Sequence, residues 1–153
     1  MTLIEKINKD YVDAFKTKNA VAKSALSSVK AKVIEFEKSG STKDGAKDED
    51  VLKIIISVIK QRKQSIEEFK KAGREDLVSS ETSELSVIEE YLPKQMTDAE
   101  ILENTKVVIA QVNVVPNMPV QALVGKSMGE FNKRFPGMAD PKKVKEIIEN
   151  LLK

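Results

Sequence analysis

Cysteine, histidine and tryptophan are all missing from this chain of 153 residues. Without cysteine there is no disulfide and no thiolate nucleophile, and without cysteine or histidine the usual soft metal sites are excluded. Aromatic residues make up only 5% of the sequence, so the core must be aliphatic. No apolar run approaches the ~20 residues needed to span a bilayer. The N-terminal MTLIEKINKDY is charged too early for a signal peptide. No strand is expected anywhere, and no glycine-rich phosphate loop stands between a strand and a helix. These absences set the expectation of a soluble, cytoplasmic protein with no metal, no cofactor and no membrane partner; the sequence does not fix its oligomeric state, for which a monomer is the favoured reading. Acid–base chemistry would fall to Asp, Glu, Lys or Tyr.

What the chain has is charge and helical period. Charged residues are 33% of it, but 26 basic residues balance 24 acidic ones, which is not a nucleic-acid-binding composition on its face. The stretch from Val51 to Gln95 organises the rest. Leu52, Ile55, Val58, Ile59, Ile66 and Phe69 follow Val51 at helical spacing and form one apolar stripe. Asp48 is the expected N-cap, with Glu49 and Asp50 in the first turn. Gly73 is the expected C′ residue after Lys70 and Lys71. A partner helix starts near Arg74 to Asp76, carries Leu77, Val78, Leu85, Ile88 and Leu92, and is stopped by Pro93. The two fold into a helical hairpin.

Arg62 falls inside the first stripe, at ~100° per residue, between Val58 and Ile66. On the second helix Glu81 sits likewise between Val78 and Leu85, with Glu84 at the margin. Arg62 lies 11 residues before Gly73 and Glu84 lies 11 after it, so at ~1.5 Å rise each the two meet across the hairpin. An ion pair of Arg62 with Glu84 or Glu81 is therefore expected, because a lone buried arginine is very costly. Two roles stand open for it: fixing the register of the helices, or binding a ligand.

Two helices precede the hairpin. Thr2 and Glu5 form a capping box, and Leu3, Ile4, Ile7, Tyr11, Ala14 and Phe15 give about four turns. After a break at Thr17 to Asn19, Ala22, Leu26, Val29, Val33 and Phe36 mark a second helix that ends before Gly40. Residues 39–48 are a loop by composition. After Pro93 the pattern changes to three shorter helices. Thr97 and Glu100 form a second capping box, and Met96 can staple onto Ile101. That helix runs to about Asn113, and VVPNMP makes a rigid connection. Gln121 to Phe135 is next, Pro136-Gly137 ends it, and Asp140 with Pro141 opens the last helix. The expected fold is all-α, with a four-helix N-terminal domain over residues 1–93 and a three-helix C-terminal domain over residues 94–153.

No nucleophile has a visible base. The serine pairs Ser27-Ser28 and Ser79-Ser80 sit in helical pattern without the sharp turn that presents a catalytic serine. Adjacent glutamates on helices point ~100° apart. Catalysis by this chain alone is not expected. Residues 126–145 are more informative: Lys126, Lys133, Arg134, Lys142, Lys143 and Lys145 face only Glu130 and Asp140. Such a surface suits a phosphate backbone, or is an ordinary solvated patch. No exposed aromatic row is expected for base stacking. Gly125 and Gly129 share one face of their helix, where each costs ~1 kcal/mol against alanine. Close approach of a neighbouring helix, the favoured reason, or of a ligand would justify them. Met128 beside them reads as core.

IKQRKQSIEEFKKAGREDL (59–77) followed by IEEYLPKQM (88–96) resembles the GatB/YqeY family, in its stand-alone YqeY-like form. LVGKSMG (123–129) and PGMADPKKV (136–144) are similar to that family's G-K-x-M-G and G-x-A-D signatures. They also resemble the tail of the B subunit of the glutamine-dependent tRNA amidotransferase, a carbon–nitrogen ligase in which the tail helps hold tRNA. By matching positions, the resemblance implies a motif surface of Gly125, Lys126, Met128, Gly129, Gly137, Ala139 and Asp140, and no catalytic residue. It departs at Ala22-Lys23-Ser24-Ala25-Leu26, where the family has a leucine-rich run. Together these readings lead to a tRNA-binding accessory protein. The alternative is a protein–protein adaptor that uses the hairpin, and the weakest of the three is a distinct amidotransferase-like catalyst.

Overall fold

The computed structural model describes residues 1–112 and 115–153. The expected end of the fifth helix at Asn113 and the start of the VVPNMP connection lie outside them. The described residues form seven helices and no strand, an all-α fold: α1 (Leu3–Lys16), α2 (Ala20–Lys38), α3 (Asp48–Lys71), α4 (Glu75–Glu89), α5 (Asp98–Gln111), α6 (Val120–Arg134) and α7 (Pro141–Leu151). They divide into two compact units, Met1–Leu92 and Pro93–Lys153.

In unit 1 the helix ends are set by local chemistry. Thr2 Oγ1 accepts from the Glu5 amide at 3.2 Å while Glu5 Oε2 accepts from the Thr2 amide at 2.9 Å, a reciprocal cap. Asn19 caps α2 through the Ala22 amide at 3.1 Å. Gly73 takes φ +70, the left-handed conformation that closes the hairpin between α3 and α4. The expected cap at Asp48 is corrected: Lys47 is the N-cap and Asp48 is the first helical residue. The Asp48 carboxylate instead accepts the Leu3 amide at 2.9 Å, tying the start of α3 to the start of α1. Nor does α4 run up to Pro93. It ends at Glu89, and amide bonds from Tyr91 to Ile88 and from Leu92 to Glu89 tighten the chain into turns first.

The unit 1 core is aliphatic: Ile7, Leu26, Val29, Val33, Val51, Ile55 and Ile88 are all fully buried. Each such side chain contributes about 1.5–3 kcal/mol by burial. Tyr91 closes one edge, its hydroxyl donating to Asp10 on α1. Burial, followed by the bond to Asp10, pushes the Tyr91 phenol above its ordinary range.

Unit 2 is a three-helix cluster in which α5, α6 and α7 pack on one another. Ile101, Val108, Val124, Phe131, Val144 and Ile148 fill it, and the Phe131 and Phe135 rings stack tilted at 5.1 Å. The Thr97 cap is half of the expected box. Its Oγ1 accepts from the Glu100 amide at 3.2 Å, but the Glu100 carboxylate bonds the Thr97 hydroxyl at 3.1 Å. The α6 helix starts at Val120 and ends at Arg134, each one residue before its expected position.

Candidate nucleic-acid interface

The α6 helix turns Val124, Ser127 and Phe131 inward, a spacing of three and four that fixes which residues face out. Gly125 and Gly129 are exposed, and a Cβ built on either would meet nothing within 4 Å. The expectation that a neighbouring helix presses on these glycines is therefore corrected: α5 and α7 pack on the opposite face. The result is a strip of bare helix backbone, with Lys126 and Lys133 on the same outer face by helical spacing. Met128 is half-buried against the unit 2 core.

The rest of the motif is architecture. Gly137 has φ +73, which the turn after Pro136 requires. Its carbonyl accepts from Gln95 Nε2 at 2.7 Å, and the same amide donates to Pro93 O at 2.9 Å. Met138 O accepts from the Met96 amide at 2.8 Å, so the segment after Pro93 is clipped to the α6–α7 turn. Gln95 is a residue whose role the sequence did not disclose, since its partner Gly137 lies 42 positions away. Ala139 packs on the core, and Asp140 Oδ1 caps α7 through the Lys142 amide at 3.0 Å.

The basic residues divide into two groups. Arg134 Nε pairs with Glu130 at 3.1 Å, Lys143 with Asp98 at 3.1 Å, and Lys145 with Glu149 at 3.9 Å. Among the described residues, Lys133 and Lys142 form no ion pair. Lys142 opens α7, and the six-residue turn from Phe135 to Asp140 puts it at the same end of the unit as Lys133.

Within unit 1, Arg62 sits at the centre of a cluster. Its Nη1 is 3.0 Å from Glu81 and 2.6 Å from Glu84, and its Nη2 donates to Ser28 at 3.0 Å. The Arg62 side chain is 13% exposed and that of Glu84 14%. Burial pushes the Glu84 carboxyl up, but bonds from Ser24 and Arg62, with the guanidinium charge, outweigh it and hold the group below the usual carboxylate range. A depression of about 260 Å³ beside the cluster is lined in part by Ser28, Gln61, Ser65 and Glu81. Glu81 and Glu84 compensate the Arg62 guanidinium, and Lys32 also lines the depression, so the site carries no excess positive charge to draw an anionic ligand.

One buried polar group is unsatisfied. Ser127 is fully buried and its Oγ has no hydrogen-bond partner among the described residues. Replacing it with alanine removes that desolvation penalty, so Ser127→Ala should raise the stability of unit 2 by about 1 kcal/mol in urea unfolding. A loss of stability would show that the hydroxyl is satisfied.

Two compact helical units, joined at Leu92-Pro93 and each with its own hydrophobic core, define a two-unit all-α protein. The chain belongs to the Yqey-like protein family, whose model matches residues 4–152. An uncharacterised protein of Schizosaccharomyces pombe is 34% identical over 93 residues, 60% of this chain and 73% of the relative. The altered inheritance of mitochondria protein 41, mitochondrial, of Meyerozyma guilliermondii is 30% identical over 134 residues, 82% of this chain and 68% of the relative. The protein of the same name from Candida glabrata is 28% identical over 127 residues, covering 81% and 70% respectively.

Proposed function

We propose that the protein is a tRNA-binding accessory protein, related to the tail of the glutamine-dependent tRNA amidotransferase, with no catalytic step of its own. The observation that carries this reading is the exposed Gly125–Gly129 strip. A helix that gives up ~1 kcal/mol per glycine without gaining a packed neighbour has left its backbone open to something outside the fold. Lys126 and Lys133 stand on the same face, and Lys142 lies at the amide-rich start of α7. Phosphate oxygens can approach the bare backbone while lysines neutralise the flanking charges. Arg134 and Lys143 contribute less, since Glu130 and Asp98 already compensate them. The alternative adaptor reading gains less support. Among the described residues, no large apolar side chain of α3 or α4 is exposed, so the hairpin offers a partner no apolar patch.

Binding of unfractionated tRNA by the purified chain, followed across a salt series, tests the proposal. Lys126→Glu, Lys133→Glu and Lys142→Glu together should weaken binding by at least ~10-fold. They should also flatten the salt dependence by about 0.9 in log–log slope per lost phosphate contact. Binding indifferent to the triple reversal would overturn the assignment of this surface.

A further inference from the structure

Unit 1 carries a larger local charge excess than the α6–α7 segment. Residues 6–32 hold seven lysines and two acidic residues. Among the described residues, Lys6, Lys9, Lys16, Lys18, Lys23 and Lys30 form no salt bridge. Three of these lie instead over aromatic rings: Lys23 over Phe15 at 4.8 Å, Lys30 over Tyr11 at 4.1 Å, and Lys6 over Tyr91 at 5.3 Å.

The first two contacts fix the seam between α1 and α2. Val12 lies one turn before Phe15 on α1, and Ile34 lies one turn beyond Lys30 on α2, so both flank the same seam. Phe15 is 61% exposed, Val12 45% and Ile34 49%. These are three of the five large apolar side chains exposed among the described residues of unit 1. The seam is thus a short apolar strip edged by Lys16, Lys23 and Lys30, with ammonium groups and no salt-bridged carboxylate.

We propose that the α1–α2 seam is a docking surface for an acidic, amphipathic helix of a protein partner. An apolar centre with a charged rim is the anatomy of a protein interface, and the sign of the rim selects Asp and Glu. Two antiparallel helices leave a shallow groove along their seam, into which a third helix packs by its apolar ridge. Nucleic acid would use the lysines but leave Val12 and Ile34 without a complement. An anionic membrane would have only three half-exposed side chains to draw into its interface. The Lys23 and Lys30 ammonium groups are already held over the rings, so little side-chain freedom is lost when they meet carboxylates. This inference concerns a different unit from the RNA reading and does not depend on it.

The test is an amide chemical-shift titration of the full chain with a synthetic ~18-residue helix carrying leucines along one stripe and glutamates elsewhere. Saturable shifts confined to α1 and α2 are expected. Phe15→Ala, or Lys23→Glu with Lys30→Glu, should weaken them by ~10-fold, as for a central anchor and its rim. Phe15 and Lys23 are exposed and Lys30 is half-buried, and an unchanged Tm verifies that the variants fold. The proposal is overturned by an absence of shifts in α1 and α2. Equal binding of the same peptide with lysine in place of glutamate also overturns it. Oligouridylate or phosphatidylserine vesicles producing the seam shifts in preference to the acidic peptide would assign the surface to nucleic acid or to membrane.

Discussion

Replacing Arg62 with methionine is expected to lower the stability of unit 1 by about 2–4 kcal/mol. Removing one member of a buried ion cluster strands the others, and here it leaves Glu81 and Glu84 facing each other with no cation between them. The expected loss is below that for a fully buried pair because the Glu81 side chain is 28% exposed and water can screen it. For a unit of this size the fall in Tm is on the order of 10–20 °C. Arg62→Lys keeps the charge but not the planar fork that reaches two carboxylates and Ser28, so it should fall between the two. Adding Glu81→Gln and Glu84→Gln to Arg62→Met should restore much of the loss, because uncharged groups tolerate the site. If Arg62→Met cost less than ~0.5 kcal/mol, the range of an ordinary surface substitution, the cluster would be solvated in practice.

Acid gives the same cluster a second signature. Glu84 is held below its ordinary value of 4.5, so the folded state binds fewer protons than the unfolded state near that pH. Its contribution is fully present above ~pH 4.5 and is lost as pH falls through the lower, folded value. In Arg62→Met the sign reverses. Two unneutralised carboxylates share a site, proton uptake is favoured in the folded state, and stability should rise as pH falls toward 4–5. Urea unfolding between pH 3 and 7 distinguishes the two slopes.

The Arg62 cluster was legible because two local facts determine it. Helical period places Arg62 in an apolar stripe, and one turn at Gly73 sets which residues lie opposite. Ser28 was not legible, because its approach depends on how α2 packs against the hairpin. The same limit explains the basic face. Charges can be counted along residues 126–145, but the Lys143–Asp98 pair joins positions 45 apart and removes a cation from the patch. Phe15 is the clearest miss. It counts among the apolar residues that mark α1, yet it lies at the edge of that stripe near the end of the helix and opens to solvent. Period alone cannot say which margin of a stripe a neighbouring helix covers.

Gly125→Ala with Gly129→Ala should move stability and function in opposite directions. Both glycines lie inside α6 without positive φ, and the added methyl groups enter open space. Helix propensity then acts unopposed, and the pair should stabilise unit 2 by about 2 kcal/mol, or ~1 kcal/mol per site. If the bare strip is where a phosphate backbone seats, the same methyl groups hold the ligand off the helix, and tRNA affinity should fall although no charge has changed. The salt dependence should stay nearly constant, because Lys126, Lys133 and Lys142 are intact. Calorimetry and a binding isotherm on one preparation read both effects. Higher Tm with unaltered binding would leave the glycines without a ligand to explain them, and the RNA surface would have to be sought on the lysines alone. Lower Tm would mean that a neighbour does press on α6, and that the open face is not open in solution.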